Sequence, residues 1–401
     1  MNPDVTERTT GGAGGGRTYP RVRVSGGPRE RGRQYGEQTR ERVRRSVEAY
    51  AAVFDYYARM GWEAARAAVA PFAGAIAAYE PKYLEELHGI ADGAGLDLGD
   101  VLALNLRTEI MYARRASGSP GTAPARDGCS SVAVLPRASA NGHTLLGQNW
   151  DWLIHSWDTT IVLEAEQDDG PDFVTVVEAG LLAKTGMNAA GLGLVTNTIV
   201  SDRDVGALGV PYHVCLRSLL DAEDIVDALA RLQRATRSSS ANYLLASSDG
   251  LAVNVESTPG DATHLLLDQP NDGLLTHTNH FVSPRFDGLD AGLALMPDSF
   301  FRLQRLDETV RGAAVGMAPA AGVAPAGLQR VFADHAGHPY GVCSHPDAVS
   351  PPVDQSATIA SLIMDLDERI LWLADGNPCE AAYRELDYAD FLGAKTGEVT
   401  A

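Results

Sequence analysis

The spacing of apolar residues changes once along this chain, and that change limits the folds that the chain can adopt. Before residue 112, apolar side chains recur at helical spacing, as Val43, Val47 and Tyr50 do after Pro28. After residue 128, short apolar runs separated by turn residues dominate, and Asn141-Gly142 between two such runs predicts a hairpin. Hairpins rather than strict strand–helix alternation predict antiparallel sheets covered by helices, which is an α+β layered fold.

The two parts of the chain divide accordingly into predicted elements. Helices are predicted from Pro28 onward and at 62–79, 83–91, 97–112, 212–220, 225–235, 299–311 and 328–334. Strands are predicted at 132–135, 144–147, 161–165, 173–178, 192–196, 242–246, 252–256, 264–267, 274–278, 358–366 and 370–374.

The same change from helical spacing to short strand-like runs sets the expected domain organisation. Residues 1–18 are polar and glycine-rich, so we expect a disordered tail there. A helical N-terminal segment at 19–128, ending in a linker at 113–127, precedes a strand-rich segment at 129–401. At 401 residues the chain can hold one large or two medium domains.

Charge and cysteine content exclude several classes of partner. The net charge of -19 makes nucleic acid an unlikely partner. The sequence has neither the apolar core of a signal peptide nor an apolar run of membrane-spanning length, so we expect a cytoplasmic protein without a membrane partner. Four widely spaced cysteines without a CxxC pair predict neither a disulfide framework nor a zinc knuckle.

Gly128-Cys129 lies where the helical pattern gives way to strand-like runs, and it is the first candidate for a reactive site. An isolated cysteine is usually a small buried hydrophobic residue. Here it directly follows a glycine, whose backbone carbonyl is open to attack by the neighbouring thiol. An N-to-S acyl shift followed by hydrolysis would cut the chain before Cys129. The freed α-amine, with a pKa near ~8, would then serve as the base for its own thiol.

Asp151 and Asn149 follow on the second strand of the predicted hairpin. A hairpin partner returns to the level of the first strand's start, so Asp151 is expected beside Cys129, where its carboxylate would hold the new ammonium group. The alternative is a turn-capping aspartate, and spacing alone does not decide between the two roles.

Other polar residues are weaker candidates. His277 and Asn279 alternate along a predicted strand, and an asparagine amide is a suitable oxyanion donor. Asn197 is a similar polar candidate, while Arg107 and Glu109 are by default a buried ion pair or a solvated face. A further group has a metal-like composition but fits no common zinc spacing, so we assign no metal ligand and expect structural loop residues: His335, His338, Cys343, His345 and Asp347.

Several motifs in order resemble one family, the acyl-CoA:6-aminopenicillanate (isopenicillin N) acyltransferase family of N-terminal-nucleophile hydrolases. The resemblance covers most of the chain from about Gly32. Its motifs are Gly32-Arg33-Gln34-Tyr35-Gly36, Glu85-Glu86-Leu87-His88-Gly89-Ile90-Ala91-Asp92-Gly93-Ala94-Gly95, Leu104-Asn105-Leu106-Arg107-Thr108-Glu109, Asp127-Gly128-Cys129, Gly147-Gln148-Asn149-Trp150-Asp151, Glu178-Ala179-Gly180, Gly186-Met187-Asn188-Ala189-Ala190-Gly191 and His277-Thr278-Asn279-His280.

The resemblance implies a four-layer αββα fold made from one precursor that cleaves itself before Cys129, with the two fragments staying associated in one domain. It implies that Cys129 is the nucleophile, Asp151 its positioning carboxylate and Asn279 part of the oxyanion hole. The family's prototype has a functional Ser-Arg pair before a late strand. Here the matching stretch, Asp354-Gln355-Ser356-Ala357-Thr358, keeps Ser356 but has no arginine, so a penicillin-specific role is not carried over.

The leading hypothesis is therefore a self-processed cysteine amidohydrolase or acyltransferase acting on a small amide, in natural-product or N-acyl amide metabolism. We expect no cofactor, with acyl-CoA open as a co-substrate and an amine open as an acceptor. Arg107, Glu109, Asn149, Asn197, His277 and Ser356 are candidates for substrate contact or support. Two alternatives stay open: an uncleaved Cys–His hydrolase that uses Cys129 with His143 or His277, and a non-enzymatic binding protein.

Overall fold

The structure, a computed structural model, describes residues 6–9, 17–113, 128–314 and 322–393, with only the backbone described at 6–9 and 113. The helices are α1 (Pro28–Ala58), α2 (Trp62–Val69), α3 (Phe72–Tyr79), α4 (Pro81–Ala94), α5 (Leu98–Asn105), α6 (Arg107–Ala113), α7 (Tyr212–Leu219), α8 (Ile225–Arg234), α9 (Ala291–Leu295), α10 (Asp298–Ala314) and α11 (Pro325–Phe332). The strands are β1 (Thr6–Thr9), β2 (Arg21–Gly26), β3 (Cys129–Val134), β4 (Leu145–Leu153), β5 (Thr160–Gln167), β6 (Phe173–Glu178), β7 (Thr185–Asn188), β8 (Leu192–Asn197), β9 (Ala241–Ser247), β10 (Ala252–Ser257), β11 (Leu265–Asp268), β12 (Leu274–His277), β13 (Ser356–Asp365), β14 (Ile370–Ala374) and β15 (Arg384–Asp387).

The strands form two sheets that pack face to face. The first sheet has the order β1-β15-β14-β13-β4-β3-β12, and the second has the order β11-β10-β9-β8-β7-β6-β5-β2. Neighbouring strands pair antiparallel except β2 and β5, which run parallel at the edge of the second sheet. α10 and α11 cover the outer face of the first sheet, and the N-terminal helices with α7 and α8 cover the second. The predicted αββα sandwich is confirmed.

Strand alternation assigns each residue of β3 to one of two cores. Cys129 and Ala133 belong to the large core that contains the space between the sheets, whereas Val132 and Val134 belong to a smaller core beneath α10 and α11. All of β3 is buried, because it is covered on both faces. The thiol of Cys129 therefore points between the sheets.

Glycines bring α1 and α4 into close backbone contact. A Cβ on Gly32 would lie 2.1 Å from the carbonyl oxygen of Glu86, and one on Gly89 would lie 2.2 Å from that of Arg29. Gly36 and Gly93 are equally crowded one turn further on. The glycine motifs of the N-terminal segment therefore allow the packing of these two helices.

Several predictions about the N-terminal segment were wrong in detail. The predicted helix at 62–79 is split into α2 and α3 at Pro71, where a helix interior would lose a backbone hydrogen bond. Thr6–Thr9, predicted as part of a disordered tail, forms an edge strand because it pairs with β15. The segment predicted to be helical also contributes β2 to the second sheet. Of the linker predicted at 113–127, residue 113 is the last residue of α6, and residues 114–127 lie outside the described residues.

Within the described ranges no helix is both long enough and apolar enough to cross a membrane.

Candidate active site

The β3–β4 hairpin places the two central candidates side by side, as the sequence predicts. Cys129 pairs with Trp150, and the backbone N–H of Asp151 donates to the carbonyl oxygen of Gly128 at 2.8 Å. The hairpin loop spans residues 135–144 and takes Gly142 to a φ of 75°. The backbone hydrogen bonds between β3 and β4 therefore hold Asp151 next to the Gly128–Cys129 peptide.

The carboxylate of Asp151 lies next to Gly128. A Cβ added to Gly128 would lie 2.9 Å from Asp151 Oδ2. The opposite oxygen, Oδ1, accepts a hydrogen bond of 2.6 Å from the hydroxyl of Thr358 on β13. Cys129 is paired with Trp150, and successive side chains of a strand point to opposite faces, so the register assigns the side chains of Cys129 and Asp151 to opposite faces of the sheet.

Asn279, just beyond β12, binds that same nitrogen. The backbone N–H of Cys129 donates to Asn279 Oδ1 at 2.7 Å, and Asn279 Nδ2 donates to the carbonyl oxygen of Thr198 at 2.9 Å. These two partners fix the orientation of the Asn279 side-chain amide, with its oxygen toward Cys129 and its nitrogen toward Thr198. With the chain intact, Asn279 is therefore an acceptor at Cys129, and its role as an oxyanion donor stays a prediction.

Two side-chain donors converge on the carbonyl oxygen of Cys129. Asn197 Nδ2 donates to it at 3.0 Å, and Arg302 Nη1 donates at 3.0 Å from the side of α10. Asn197 is oriented in turn by Asn242, whose Nδ2 donates to its Oδ1 at 3.1 Å. The polar groups of the Cys129 backbone are thus held by side chains from separate elements or their ends.

Arg302 is the residue that sequence reasoning missed. Its guanidinium is buried, donates to Asn279 Oδ1 at 3.0 Å and is ion-paired through Nε with Asp298 Oδ2 at 3.0 Å. The sequence carries a weak signal for it, since Arg302 lies on the helix predicted at 299–311 and Asp298 is four residues before it, but nothing in that spacing points to Cys129. The chain therefore supplies a buried arginine here although it has none beside Ser356.

The remaining candidates lie elsewhere. Arg107 forms a buried ion pair with Glu178 and also contacts the hydroxyl of Tyr50. Glu109 accepts from the backbone N–H of Tyr212 at 2.8 Å, and burial raises the pKa of its carboxyl group. Arg107 is in a buried ion pair, although with Glu178, whereas the described partners of Glu109 are uncharged, and neither residue has a described contact with Cys129.

Asn149 and Ser356 have supporting positions. Asn149 Nδ2 donates to the carbonyl oxygens of Phe332 and Val342, both at 2.8 Å, and so ties β4 to the segment after α11. Ser356 begins β13 opposite Leu153.

Neither histidine of the Cys–His alternative is placed to act on the thiol. His277 lies diagonally across from Cys129, but its Nε2 is bound to Glu256 at 2.9 Å and its Nδ1 to the carbonyl oxygen of Thr278 at 2.7 Å. His143 lies in the hairpin loop, beyond the last β3–β4 pair, Val134 with Leu145. That pair is five residues, or about 17 Å, along β3 from Cys129.

More than half of this chain matches one known sequence family. The profile of the acyl-coenzyme A:6-aminopenicillanic acid acyl-transferase family matches residues 138–380. The chain belongs to this family. The motif-based resemblance is therefore confirmed. The matched region of this acyltransferase family contains Asp151, Asn279 and Arg302 but begins after Cys129, so the role of the cysteine depends on the local geometry.

A curated member of the acyltransferase family is also similar. The acyl-coenzyme A:6-aminopenicillanic-acid-acyltransferase 40 kDa form of Emericella nidulans is 28% identical over 235 residues, which are 58% of this chain. The match spans 60% of that relative's length.

Among solved structures, a mutant of the conjugated bile acid hydrolase from Clostridium perfringens is 12% identical, with a TM-score of 0.39 and coverage of 62% of this chain and 89% of that one. The penicillin V acylase from Agrobacterium tumefaciens is 14% identical, with a TM-score of 0.39 and coverage of 62% and 82%.

Proposed function

We propose that this acyltransferase-family chain is a cysteine amidohydrolase or N-acyltransferase that cleaves itself between Gly128 and Cys129. The observation that supports this most is the binding of the Gly128–Cys129 peptide unit at both of its polar atoms. The Gly128 oxygen accepts from Asp151 N–H at 2.8 Å, and the Cys129 N–H donates to Asn279 Oδ1 at 2.7 Å. A peptide bond held at both ends in a buried site is positioned for reaction.

Self-cleavage would proceed by attack of the Cys129 sulfur on the Gly128 carbonyl carbon. Negative charge then develops on the Gly128 oxygen, where the Asp151 N–H already donates. The C–S bond forms first and gives a tetrahedral intermediate. Its collapse breaks the C–N bond, and the thiol proton ends on the former amide nitrogen, which becomes the α-amine of Cys129. Water hydrolyses the thioester, which leaves a carboxylate on Gly128 and restores the thiol of Cys129.

The cleaved chain would use its new α-amine as the base in turnover. Its pKa of ~8 is close to physiological pH, so it can take the proton of the thiol. Asn279 Oδ1 already accepts from this nitrogen and would hold the amine in place, and the Asp151 carboxylate next to Gly128 would supply a negative charge for the ammonium form. The thiolate attacks the substrate carbonyl, the amine leaving group receives the proton, and water or an acceptor amine then releases the acyl group.

The proposed substrate class is a small N-acyl amide. The chain matches an enzyme named for acyl-coenzyme A and 6-aminopenicillanic acid, and acyl-CoA is therefore a candidate acyl donor. The stretch at Ser356 lacks the arginine of the prototype, so we propose no penicillin-type acceptor. Whether water or an amine takes the acyl group depends on water exclusion in the cleaved site.

Intact mass measurement of denatured protein tests the cleavage. We expect two pieces, residues 1–128 and 129–401, from the unaltered chain and one piece from Cys129→Ala. Cys215→Ala, which removes another buried cysteine, should still give two pieces. An unaltered chain that stays intact while it turns over an amide would overturn the self-cleavage.

A screen of small N-acyl amides and acyl-CoA thioesters, each with and without an amine acceptor, tests the catalytic proposal. We expect acyl release by the cleaved protein and none by Cys129→Ala. A thiol-directed acyl analogue should label Cys129 in the cleaved protein. Failure of both labelling and turnover in fully cleaved protein would favour the non-enzymatic binding alternative.

A further inference from the structure

Four metal-binding side chains from distant parts of the sequence meet after α11. They are His335, Cys343 and His345 in the segment between α11 and β13, and Cys379 after β14. One ligand atom from each residue lies within 4.8 Å of the other three. His338 and Asp347, grouped with them by composition, are not part of this cluster. Cys379, thirty-four residues beyond His345, takes their place.

Hydrogen bonding alone does not account for this convergence. His345 Nε2 lies 3.0 Å from His335 Nε2, 3.5 Å from Cys343 Sγ and 3.4 Å from Cys379 Sγ. An imidazole nitrogen carries either one hydrogen or one lone pair, so it cannot bond well to three such atoms. One cation at the centre would satisfy all four at once.

We propose that His335, Cys343, His345 and Cys379 bind one structural zinc ion. A tetrahedral site with Zn–S bonds of about 2.3 Å and Zn–N bonds of about 2.0 Å has edges of roughly 3.3–3.8 Å between ligand atoms. The sulfur atoms of Cys343 and Cys379 are 3.6 Å apart, and His345 Nε2 lies 3.5 and 3.4 Å from them, which are the edges of such a site. All four ligand atoms lie within 4.8 Å of one another, so small side-chain shifts would close the remaining edges around an ion. Two thiolates and two neutral imidazoles make the site electrically neutral with Zn²⁺.

The surroundings of the cluster suit a closed structural site. Asn377 Nδ2 lies 3.7 Å from Cys343 Sγ and donates to the carbonyl oxygen of Ser344 at 2.6 Å. Glu380 Oε1 lies 4.0 Å from His345 Nδ1, where a carboxylate orients a metal-binding ring. Four protein ligands leave no open position for a reacting molecule, so the ion is structural rather than catalytic.

The proposed ion would stabilise the hydrogen bonds that hold the Asp151 carboxylate. Ser344, next to Cys343, donates through its backbone N–H to Thr358 Oγ1 at 3.0 Å, and Thr358 N–H donates back to Ser344 at 2.9 Å. The same hydroxyl of Thr358 donates to Asp151 Oδ1 at 2.6 Å. The metal site itself does not depend on the proposed function, because its ligands lie outside the peptide that would be cut.

Metal analysis of the full chain carrying Cys129→Ala tests the proposal without any self-cleavage. We expect one zinc per chain in protein purified without chelator, and strong loss of zinc from Cys343→Ser and from Cys379→Ser. Cys215→Ala and His338→Ala are matched controls that should retain it. Cobalt added after chelator treatment should give thiolate-to-metal absorption in the near ultraviolet, which measures coordination by the folded, otherwise unaltered chain.

Two results would overturn the site. One is a reduced, folded chain that neither contains zinc nor gives the cobalt absorption. The other is a Cys343–Cys379 disulfide, found as a linked peptide in freshly purified protein, because it would use both sulfur ligands. Loss of metal from the serine variants with retained circular dichroism separates loss of a ligand from loss of the fold.

Discussion

A methyl group at position 128 would collide with the carboxylate at the proposed cleavage site. The added Cβ of Gly128→Ala would lie 2.9 Å from Asp151 Oδ2, closer than such atoms approach. We therefore expect self-cleavage to slow by about 10- to 100-fold, because small displacements of reacting groups carry large rate costs. The fraction of cut chain over time, read by denaturing electrophoresis, measures this. Gly61→Ala, where an added Cβ meets nothing within 4 Å, is the control, and equal rates for the two variants would contradict the prediction.

Arg302 is expected to stabilise the reacting backbone. Arg302→Gln removes a charged donor from the Cys129 carbonyl oxygen and from Asn279 Oδ1, so cleavage should slow by about 100-fold. Arg302→Lys should also slow it, since one ammonium group does not reproduce the guanidinium fork. Arg311→Gln, on the same helix and paired with Asp307, should cleave normally. Unchanged single-turnover cleavage in Arg302→Gln would rule out this role.

His280, the residue after Asn279, is expected to make the stability of the fold sensitive to acid. Burial, followed by the charges of His277 and Arg302, lowers the pKa of His280 from 6.5 to about 4. The unfolded chain therefore binds a proton first as pH falls, so His280 destabilises the fold progressively from pH 6.5 to 4 and adds no further loss below that. His280→Gln should lose fewer degrees of melting temperature than the unaltered chain over this interval. His264→Gln is the control, and parallel pH profiles for all three proteins would contradict the assignment.

At the scale of elements, α1 and α4 depend on their glycines. Gly89→Ala would place a Cβ 2.2 Å from the carbonyl oxygen of Arg29, so the helices must separate. We expect a loss of about 2 kcal/mol or more in the free energy of unfolding. Gly74→Ala in α3, where an added Cβ meets nothing within 4 Å, should be neutral or slightly stabilising. Chemical denaturation of both variants in the Cys129→Ala background measures the difference, and equal stabilities would show that the contact relaxes cheaply.

What the sequence predicted well was local in the chain. The hairpin could be predicted because Asn141-Gly142 and the flanking apolar runs lie close together, and its ladder then fixes Asp151 at Gly128. Arg302 could not, since it reaches Cys129 from 173 residues away through a helix whose spacing indicates only an amphipathic surface.

Strands with unusual partners were missed for the same reason. β2 precedes a long helix and pairs in parallel with β5, across more than a hundred residues of sequence. The proposed zinc ligands His335, Cys343, His345 and Cys379 were also missed as a group, because Cys379 comes close to the other three through the pairing of β13 with β14. Short-range spacing carries no information about such contacts.

For the whole molecule, the two proposed fragments should remain one folded body after cleavage. The segment before Gly128 contributes β2 to the second sheet and several buried ion pairs to the segment after it. Among these, Glu86 lies 3.1 Å from Arg217, and Arg107 is paired with Glu178, with all four side chains buried. Within its own segment Glu86 also lies 3.6 Å from the buried Arg31. Native size-exclusion chromatography should therefore give one peak that contains both pieces, and both should unfold in one transition.

Glu86→Gln provides the sharper test of that association. It leaves the guanidinium groups of Arg31 and Arg217 buried with less compensating charge, which should cost about 3 kcal/mol of stability. Glu63→Gln removes one exposed partner of Arg66, which is also paired with Asp97, and should change stability by less than about 1 kcal/mol. If the fragments join through this interface, Glu86→Gln lowers the temperature at which the cleaved pieces separate and unfold together. Pieces that separate in native buffer before either unfolds would show that the ladder and the ion pairs do not hold the cleaved chain together.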